Sequence, residues 1–316
     1  MKDLLSIADL NSENIHSLIL DAIDFKNDGW SNLLEHKTLA LVFEKPSLRT
    51  RVSFEIAMRQ LGGESIYLSP AEIGIGKRES AADIARVLSR YVDVIAARTF
   101  AHQTVEDLAH YASVPVINAL SDLEHPCQAL ADVLTIYEKK GDLKKLTLAY
   151  IGDGNNVANS LLLASALTGM NFRIASPVGY NIQDKFWHLA EQYARVSGSV
   201  LFSTDDPKSA AKGADILYTD VWTSMGQESE ADVRRQVFAG YQINEEILEI
   251  ANRDAIIMHP LPAHHGEEVA QGIIDMPNSV VFDQAENRMH IQKALLVRML
   301  GGLEFPLAQS PGLRFL

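Results

Sequence analysis

Cysteine is nearly missing from this chain of 316 residues, in which Cys127 stands alone. A single thiol excludes an intrachain disulfide framework and any multi-cysteine metal site, and it suits a reducing compartment. Basic charge is scarce too, with 28 Lys and Arg against 41 Asp and Glu, a formal net charge of -13. Such a surface lacks the basic footprint through which nucleic acid or an anionic membrane gains counterion-release energy, so neither is an expected partner, whereas a small cationic substrate is attracted. Long apolar runs are also absent, and none approaches the roughly 20 residues of a membrane-spanning helix. The opening MKDLLSIADLNSENI breaks its apolar stretch with charges and carries no small-residue cleavage pattern, so it does not read as a secretion signal. These absences predict a soluble, cytoplasmic protein.

What is present is ample apolar material, 47% of the residues against 22% charged, in a chain long enough for two domains. Runs rich in branched residues recur: TLALVF (38–43), VDVIAAR (92–98), PVINAL (115–120), LTLAYIG (146–152), FRIAS (172–176), ADILYTDV (214–221), AIIMH (255–259) and VVFDQ (280–284). Between most of them, stretches such as SFEIAMRQLGG, ADIARVLSRY and NSLLLASALTGM carry apolar residues at three- and four-residue spacing. This alternation predicts an α/β fold of two parallel-sheet domains with helices on both faces. The helical spacing of 129–145 ends in KKGDLKK and predicts a helix crossing between the domains. The expected domains are 1–135 and 146–288, with 289–316 forming a last helix that returns to the first.

In open parallel sheets, ligands bind beyond the carboxyl ends of strands. Polar clusters fall there repeatedly: EKPSLRTR, Arg98 with Thr99, SDLEHPCQ, GDGNN, DVWTSMG, HPLPAHHG and QAENR. In the first, a helix starting near Ser47 or Leu48 points backbone N–H groups forward, where an anion is favoured. Ser47 and Thr50 add hydroxyls, and Arg49 can grip two phosphate oxygens. A serine-capped helix with two solvated arginines fits that stretch equally well by itself. Arg98, His125 and Gln128 add donors for a carbonyl oxygen that becomes negative and an amide for an adjoining NH2, as a small acyl phosphate requires. Nothing near Cys127 marks a lowered pKa, so that thiol is expected to pack in the interior.

FEKPSLRTRVSFE resembles the Ser-x-Arg-Thr-Arg carbamoyl phosphate signature of the aspartate and ornithine carbamoyltransferase family, and HPCQAL resembles its His-Pro-x-Gln motif. Arg98 of AARTF matches the family's third anchor, and the likeness runs in register to Arg288 of AENR. The resemblance implies that Ser47, Leu48, Arg49, Thr50, Arg98, His125, Gln128 and Arg288 hold carbamoyl phosphate. It also implies transfer without a metal or organic cofactor, by a homotrimer or a multiple of trimers whose sites are shared between subunits.

Within the family, the second domain selects the amine. Asp220-Val-Trp-Thr-Ser224-Met225-Gly226 is similar to the Asp-x-x-x-Ser-Met-Gly motif of the ornithine-specific members, and Asn156 lies where these carry a substrate-binding asparagine. The resemblance therefore implies ornithine bound by Asn156, Asp220, Ser224, Met225, Pro260 and Leu261, with Arg98, His125 and Asp220 as catalytic groups. Without the other motifs, Asp220 and Ser224 also fit a turn or a helix cap. Trp222 is expected to pack, and His264, His265, Glu267 and Glu268 to be surface or hinge residues; their loop lacks helical ligand spacing for a metal. Two positions depart from the pattern. His259-Pro260-Leu261-Pro262 has proline where ornithine-specific members carry cysteine, and Gly74 stands where the loop reaching a neighbouring subunit has glutamine, with Lys77 or Arg78 as its substitute.

Two other readings are open. One is carbamoyl transfer to a different amine, such as putrescine, a modified ornithine or aspartate. The other is a nicotinamide-dependent dehydrogenase, since YIGDGNNVANSL leaves a strand and enters a helix. That fingerprint lacks its third glycine at Val157, and RIASP offers no acidic residue for a ribose hydroxyl.

Overall fold

The computed structural model describes residues 2–301 apart from Lys77 and Met225. Those two candidates, and the 302–316 part of the expected last helix, lie outside the described residues. The chain divides into two compact units: one ends its first stretch at Asp122 and resumes at Met289, and the other is Leu123–Arg288.

The first unit runs α1 (Ser12–Asp28), β1 (Thr38–Phe43), α2 (Leu48–Gln60), β2 (Glu64–Leu68), α3 (Pro70–Ile73), α4 (Ala81–Leu88), β3 (Val94–Arg98), α5 (His102–Tyr111) and β4 (Val116–Leu120). Its strands lie parallel in the order β2-β1-β3-β4. Leu39 to Phe43 are fully buried on both faces of β1. Ala40 and Val42 pack with Ile84 and Ala85 of α4 and with Val105 and Leu108 of α5. Helices on both faces explain why TLALVF reads as a continuous apolar run without alternation. Each such large side chain contributes about 1.5–3 kcal/mol on burial.

The second unit runs α6 (Pro126–Lys140), β5 (Thr147–Ile151), α7 (Asn156–Thr168), β6 (Asn171–Ala175), α8 (Asp184–Ser197), β7 (Leu201–Thr204), α9 (Pro207–Ala211), β8 (Ile216–Tyr218), α10 (Ala231–Val237), α11 (Glu245–Ile250), β9 (Ile256–Met258) and α12 (Val281–Leu300). Its strands are parallel in the order β7-β6-β5-β8-β9. The division between units falls ahead of α6, which belongs whole to the second, and inside α12, which enters the first at Met289.

Each sheet reverses its direction of growth once, between β1 and β3 in the first unit and between β5 and β8 in the second. At such a switch point the loops leave on opposite sides and open a crevice. The loop before α2 and Arg98 flank the first switch point; GDGNN and Asp220 flank the second.

The expectations need correction in two places. VVFDQ is not a strand: Val281 opens α12, and QAENR, with Arg288, lies inside that helix. The buried positions Val281, Gln284, Asn287, Arg288 and Ile291 follow helical spacing, which outweighs the β-branched pair at the start. The edge strands β2 and β7 are absent from the expected set. ESIYL and LFST mix polar with apolar residues and are only partly buried, so they lack the continuous apolar signal of the other strands.

Candidate active site

In the first unit, Ser47 has extended backbone and caps α2, its Oγ accepting from Thr50 N–H at 3.3 Å and donating to Thr50 Oγ1 at 3.1 Å. Thr50 is buried, Arg49 half-buried, and Leu48 is 76% exposed. Arg51 is turned elsewhere, bonded to Glu55 at 2.9 Å and lying 4.0 Å over the Tyr67 ring. Arg98, buried at the end of β3, sits where the β3–β4 register shifts between Ala97 and Arg98. Irregularities of this kind re-aim side chains at strand ends. Its carbonyl accepts from Glu44 N–H at 2.8 Å, tying it to the loop after β1. Lys45, also buried, has its pKa lowered to about 8, first by burial and then by the Arg98 charge. The first switch point thus gathers a helix N-terminus, hydroxyls and cations, a constellation fit for an anion.

In the second unit, His125 stands before α6, its N–H donating to Ser160 Oγ at 2.9 Å, while Ser160 Oγ donates to Glu124 at 3.1 Å. Gln128 lies in the first turn of α6, buried, its Nε2 donating to Asp132 Oδ1 at 2.8 Å. Gln284 Nε2, from α12, donates to the same oxygen at 2.7 Å. Arg288 follows Gln284 at i+4 on the buried face of α12. Cys127 is buried and its thiol is pushed up to about 12 by desolvation, so it packs and is not a thiolate nucleophile.

Asp220 is buried just beyond β8. Its Oδ2 accepts from Asn155 Nδ2 at 2.8 Å and its Oδ1 from Val221 N–H at 2.8 Å. Desolvation raises its pKa, and His259 acts in the opposite sense. Asn155 caps α7, so Asn156 is the first helical residue, and it is half-buried. Ser224 N–H donates to Gln227 Oε1 at 3.1 Å in the loop that follows. Trp222 is buried and stacks on Phe238 at 6.1 Å, as a packing residue does. Pro260 and Leu261 follow β9; the Leu261–Pro262 bond is cis and Leu261 has φ 59°. Leu261 N–H donates to His259 Nδ1 at 2.8 Å, which leaves His259 Nε2–H to donate to Glu268 Oε1 at 3.1 Å.

The second glycine of GDGNN serves packing. A Cβ on Gly154 would sit 2.3 Å from Ile182 N and 2.4 Å from Asn181 C, so the close backbone approach requires glycine there. Asp153 is consumed by a buried ion pair with Arg234 at 2.7 Å.

Residues 2–138 match the family model for the carbamoyl-P binding domain of aspartate/ornithine carbamoyltransferase, and residues 144–299 match the model for its Asp/Orn binding domain. The chain belongs to the aspartate/ornithine carbamoyltransferase family. It is 54% identical over 303 residues to an ornithine carbamoyltransferase of Anoxybacillus flavithermus, covering 95% of this chain and 96% of that one. It is 52% identical over 310 residues to the anabolic ornithine carbamoyltransferase of Pyrococcus furiosus, covering 96% and 98%. The solved structure of ornithine carbamoyltransferase from Pyrococcus furiosus superimposes with a TM-score of 0.93 at 51% identity, covering 96% of this chain and 98% of that one. The anabolic ornithine carbamoyltransferase of Campylobacter jejuni gives 0.91 at 39%, covering 95% and 99%.

Within this family frame, the first unit gathers Ser47, Leu48, Arg49, Thr50 and Arg98 at one switch point. The second unit gathers Asn156, Asp220 and Ser224 near the other. Asp132 lies outside the strand-end clusters, and Lys45, Asn155 and Gln284 lie within EKPSLRTR, GDGNN and QAENR without being singled out; their duties come from the atoms they meet. One alternative is overturned: Glu268 is fully buried, not a surface residue, because it completes the bond to buried His259. Among the described residues, His264, Glu267 and Glu268 offer ligand-type atoms within 4.8 Å of one another. Glu267 accepts from Arg235 Nε at 2.9 Å, and Glu268 Oε1 is already engaged by His259. Among the described residues, no helix is long and apolar enough to cross a membrane.

Proposed function

We propose that this chain transfers the carbamoyl group of carbamoyl phosphate to the δ-amine of L-ornithine, giving L-citrulline and phosphate. The observation that carries the reading is a buried, hydrogen-bonded Asp220 at a switch point, in a chain 54% identical over 303 residues to an ornithine carbamoyltransferase. An aspartate acceptor would call for additional cations where this unit offers a carboxylate.

Ser47, Leu48, Arg49, Thr50 and Arg98 of the first unit, with His125, Gln128 and Arg288 of the second, are assigned to carbamoyl phosphate. Asn156 and the 224–225 backbone take the α-amino and α-carboxylate groups, Asp220 orients the amine, and Pro260 and Leu261 complete the acceptor site. The δ-amine resembles that of lysine, with a pKa near 10.4, so it must give up one proton to solvent before it attacks as the neutral amine. Its nitrogen then bonds to the carbamoyl carbon, the C–O bond to phosphate breaks, and the departing phosphate takes the amine's remaining surplus proton. Arg98, His125 and Thr50 stabilise the oxygen charge, each such donor contributing on the order of 3 kcal/mol. No step requires a metal or cofactor, and a proton acceptor in the leaving group makes a cysteine at position 260 dispensable.

A homotrimer or a multiple of trimers is the proposed assembly, with Arg78 as the described candidate to reach a neighbouring subunit's site. A cytoplasmic location is proposed on the single buried cysteine, which suits a reducing compartment. Pro260 favours a second reading, transfer to another amine. A citrulline assay with carbamoyl phosphate, run beside putrescine, a modified ornithine and aspartate, decides between them. Ornithine should have the highest kcat/KM; no product with ornithine beside good product with another amine sinks the proposal.

A further inference from the structure

Asp132 lies one turn beyond Gln128 on α6, is fully buried, and takes no part in the reaction as written. Its Oδ1 accepts from Gln128 Nε2 at 2.8 Å and from Gln284 Nε2 at 2.7 Å, and its Oδ2 accepts from Tyr218 Oη at 2.9 Å. An ionised carboxylate has no hydrogen to give, and if a proton is present its place is Oδ2, facing the Tyr218 hydroxyl. Oδ1 therefore accepts from both amides in either state, and Gln128 must turn its NH2 inward and its Oε1 away. That Oε1 is buried and meets no hydrogen-bond donor among the described residues. A buried acceptor without a donor is costly unless a ligand supplies one. Gln284 carries the same carboxylate's influence to the other substrate's end, since its Oε1 accepts from His259 N–H, just ahead of Pro260, at 2.9 Å.

We infer that Asp132 is a positioning residue for donor selection: by fixing the Gln128 amide it presents Oε1 to the NH2 of carbamoyl phosphate, and so favours a carbamoyl group over an acyl group that has no N–H. This rests on the reaction proposed above. The two ligands that test it are carbamoyl phosphate and acetyl phosphate, which differ by NH2 against CH3 and share the phosphate.

Calorimetric titration of the full chain with each gives an affinity ratio in which the phosphate contacts cancel. The intact protein should prefer carbamoyl phosphate. Asp132→Leu, which removes the acceptor, should lower the ratio about tenfold, the factor lost with one buried hydrogen bond. Asp132→Asn keeps an oxygen for both amides and an NH2 for the Tyr218 hydroxyl, so it should retain the preference. A generally weakened fold would lower both affinities together and leave the ratio unmoved. Gln128→Ala keeps Asp132 and its other donors, should lose the preference as Asp132→Leu does, and stands alone if the leucine variant does not fold. The inference fails if the preference survives in either Asp132→Leu or Gln128→Ala, or if the asparagine and leucine variants behave alike. Failure of the intact protein to bind either ligand would instead overturn the proposed reaction itself, and the inference with it.

Discussion

Burial raises the pKa of Asp132 to about 7, against the lowering effect of its three hydrogen bonds and of Arg288. An aspartate in the unfolded chain titrates near 3.9. Between those values the folded protein binds more protons than the unfolded one, so this group's contribution to stability is greatest at low pH and is lost as pH rises towards 7. Asp132→Asn should abolish that dependence. In urea unfolding, the intact protein is expected to lose stability relative to the variant on going from about pH 5 to about pH 8; a constant difference between them refutes the raised value. Ser47, Arg49, Arg98, His125, Gln128 and Asp220, the residues proposed for phosphate and amine recognition, stand out in the linear sequence because they follow strands and match the family's motifs. Asp132 and Glu268 do not. A buried carboxylate is recognised by the donors around it: at Asp132 the distant Gln284 and Tyr218 join the nearby Gln128, and at Glu268 the donors are His259 and the His264 N–H.

Among the elements, α7 shows how a cap can serve a site. Asn155 Oδ1 accepts from Val157 N–H at 2.9 Å and Ala158 N–H at 3.1 Å, while its Nδ2 holds Asp220. One amide therefore closes the helix end and aims the carboxylate. Asn155→Ala should cost about 1 kcal/mol as a lost cap. It should also raise the KM for ornithine while leaving that for carbamoyl phosphate nearly unchanged. Steady-state kinetics in both substrates checks this, and equal changes in the two constants would deny the cap a role in acceptor binding. The inner strands declare themselves through branched apolar runs, because both their faces are covered. β2 and β7 do not, since their side chains are largely in contact with solvent, whereas β4 and β9, also at sheet edges, are buried and read as apolar runs. Val280 and Val281 look like the start of a strand until the pattern of buried residues over the next turns is seen, and a helix propensity deficit at one end of α12 is small beside the packing of the whole face.

For the whole molecule, the first unit leaves Trp30 66%, Tyr91 74% and Leu48 76% exposed. The second unit leaves Val178 83%, Val196 88% and Phe282 67% exposed, so exposed apolar side chains mark neither unit, and the proposed assembly rests on the family resemblance. Sedimentation equilibrium should return a mass three times that of the chain, or a multiple of three; a stable monomer or dimer would rule the assembly out. The motifs placed carbamoyl phosphate recognition and the ornithine-type sequence in the text of the chain because such chemistry needs particular groups after particular strands, and local backbone geometry carries them there. Alternating apolar periods likewise determined the α/β class. Tertiary structure alone decided that α12 is continuous through Arg288, that Asn155 joins the local Val221 N–H in holding Asp220, and that Asp132 engages the Gln128 amide. These depend on long-range burial and on hydrogen bonds between distant positions, where the same residue type can be a surface charge or a buried acceptor until its neighbours are known.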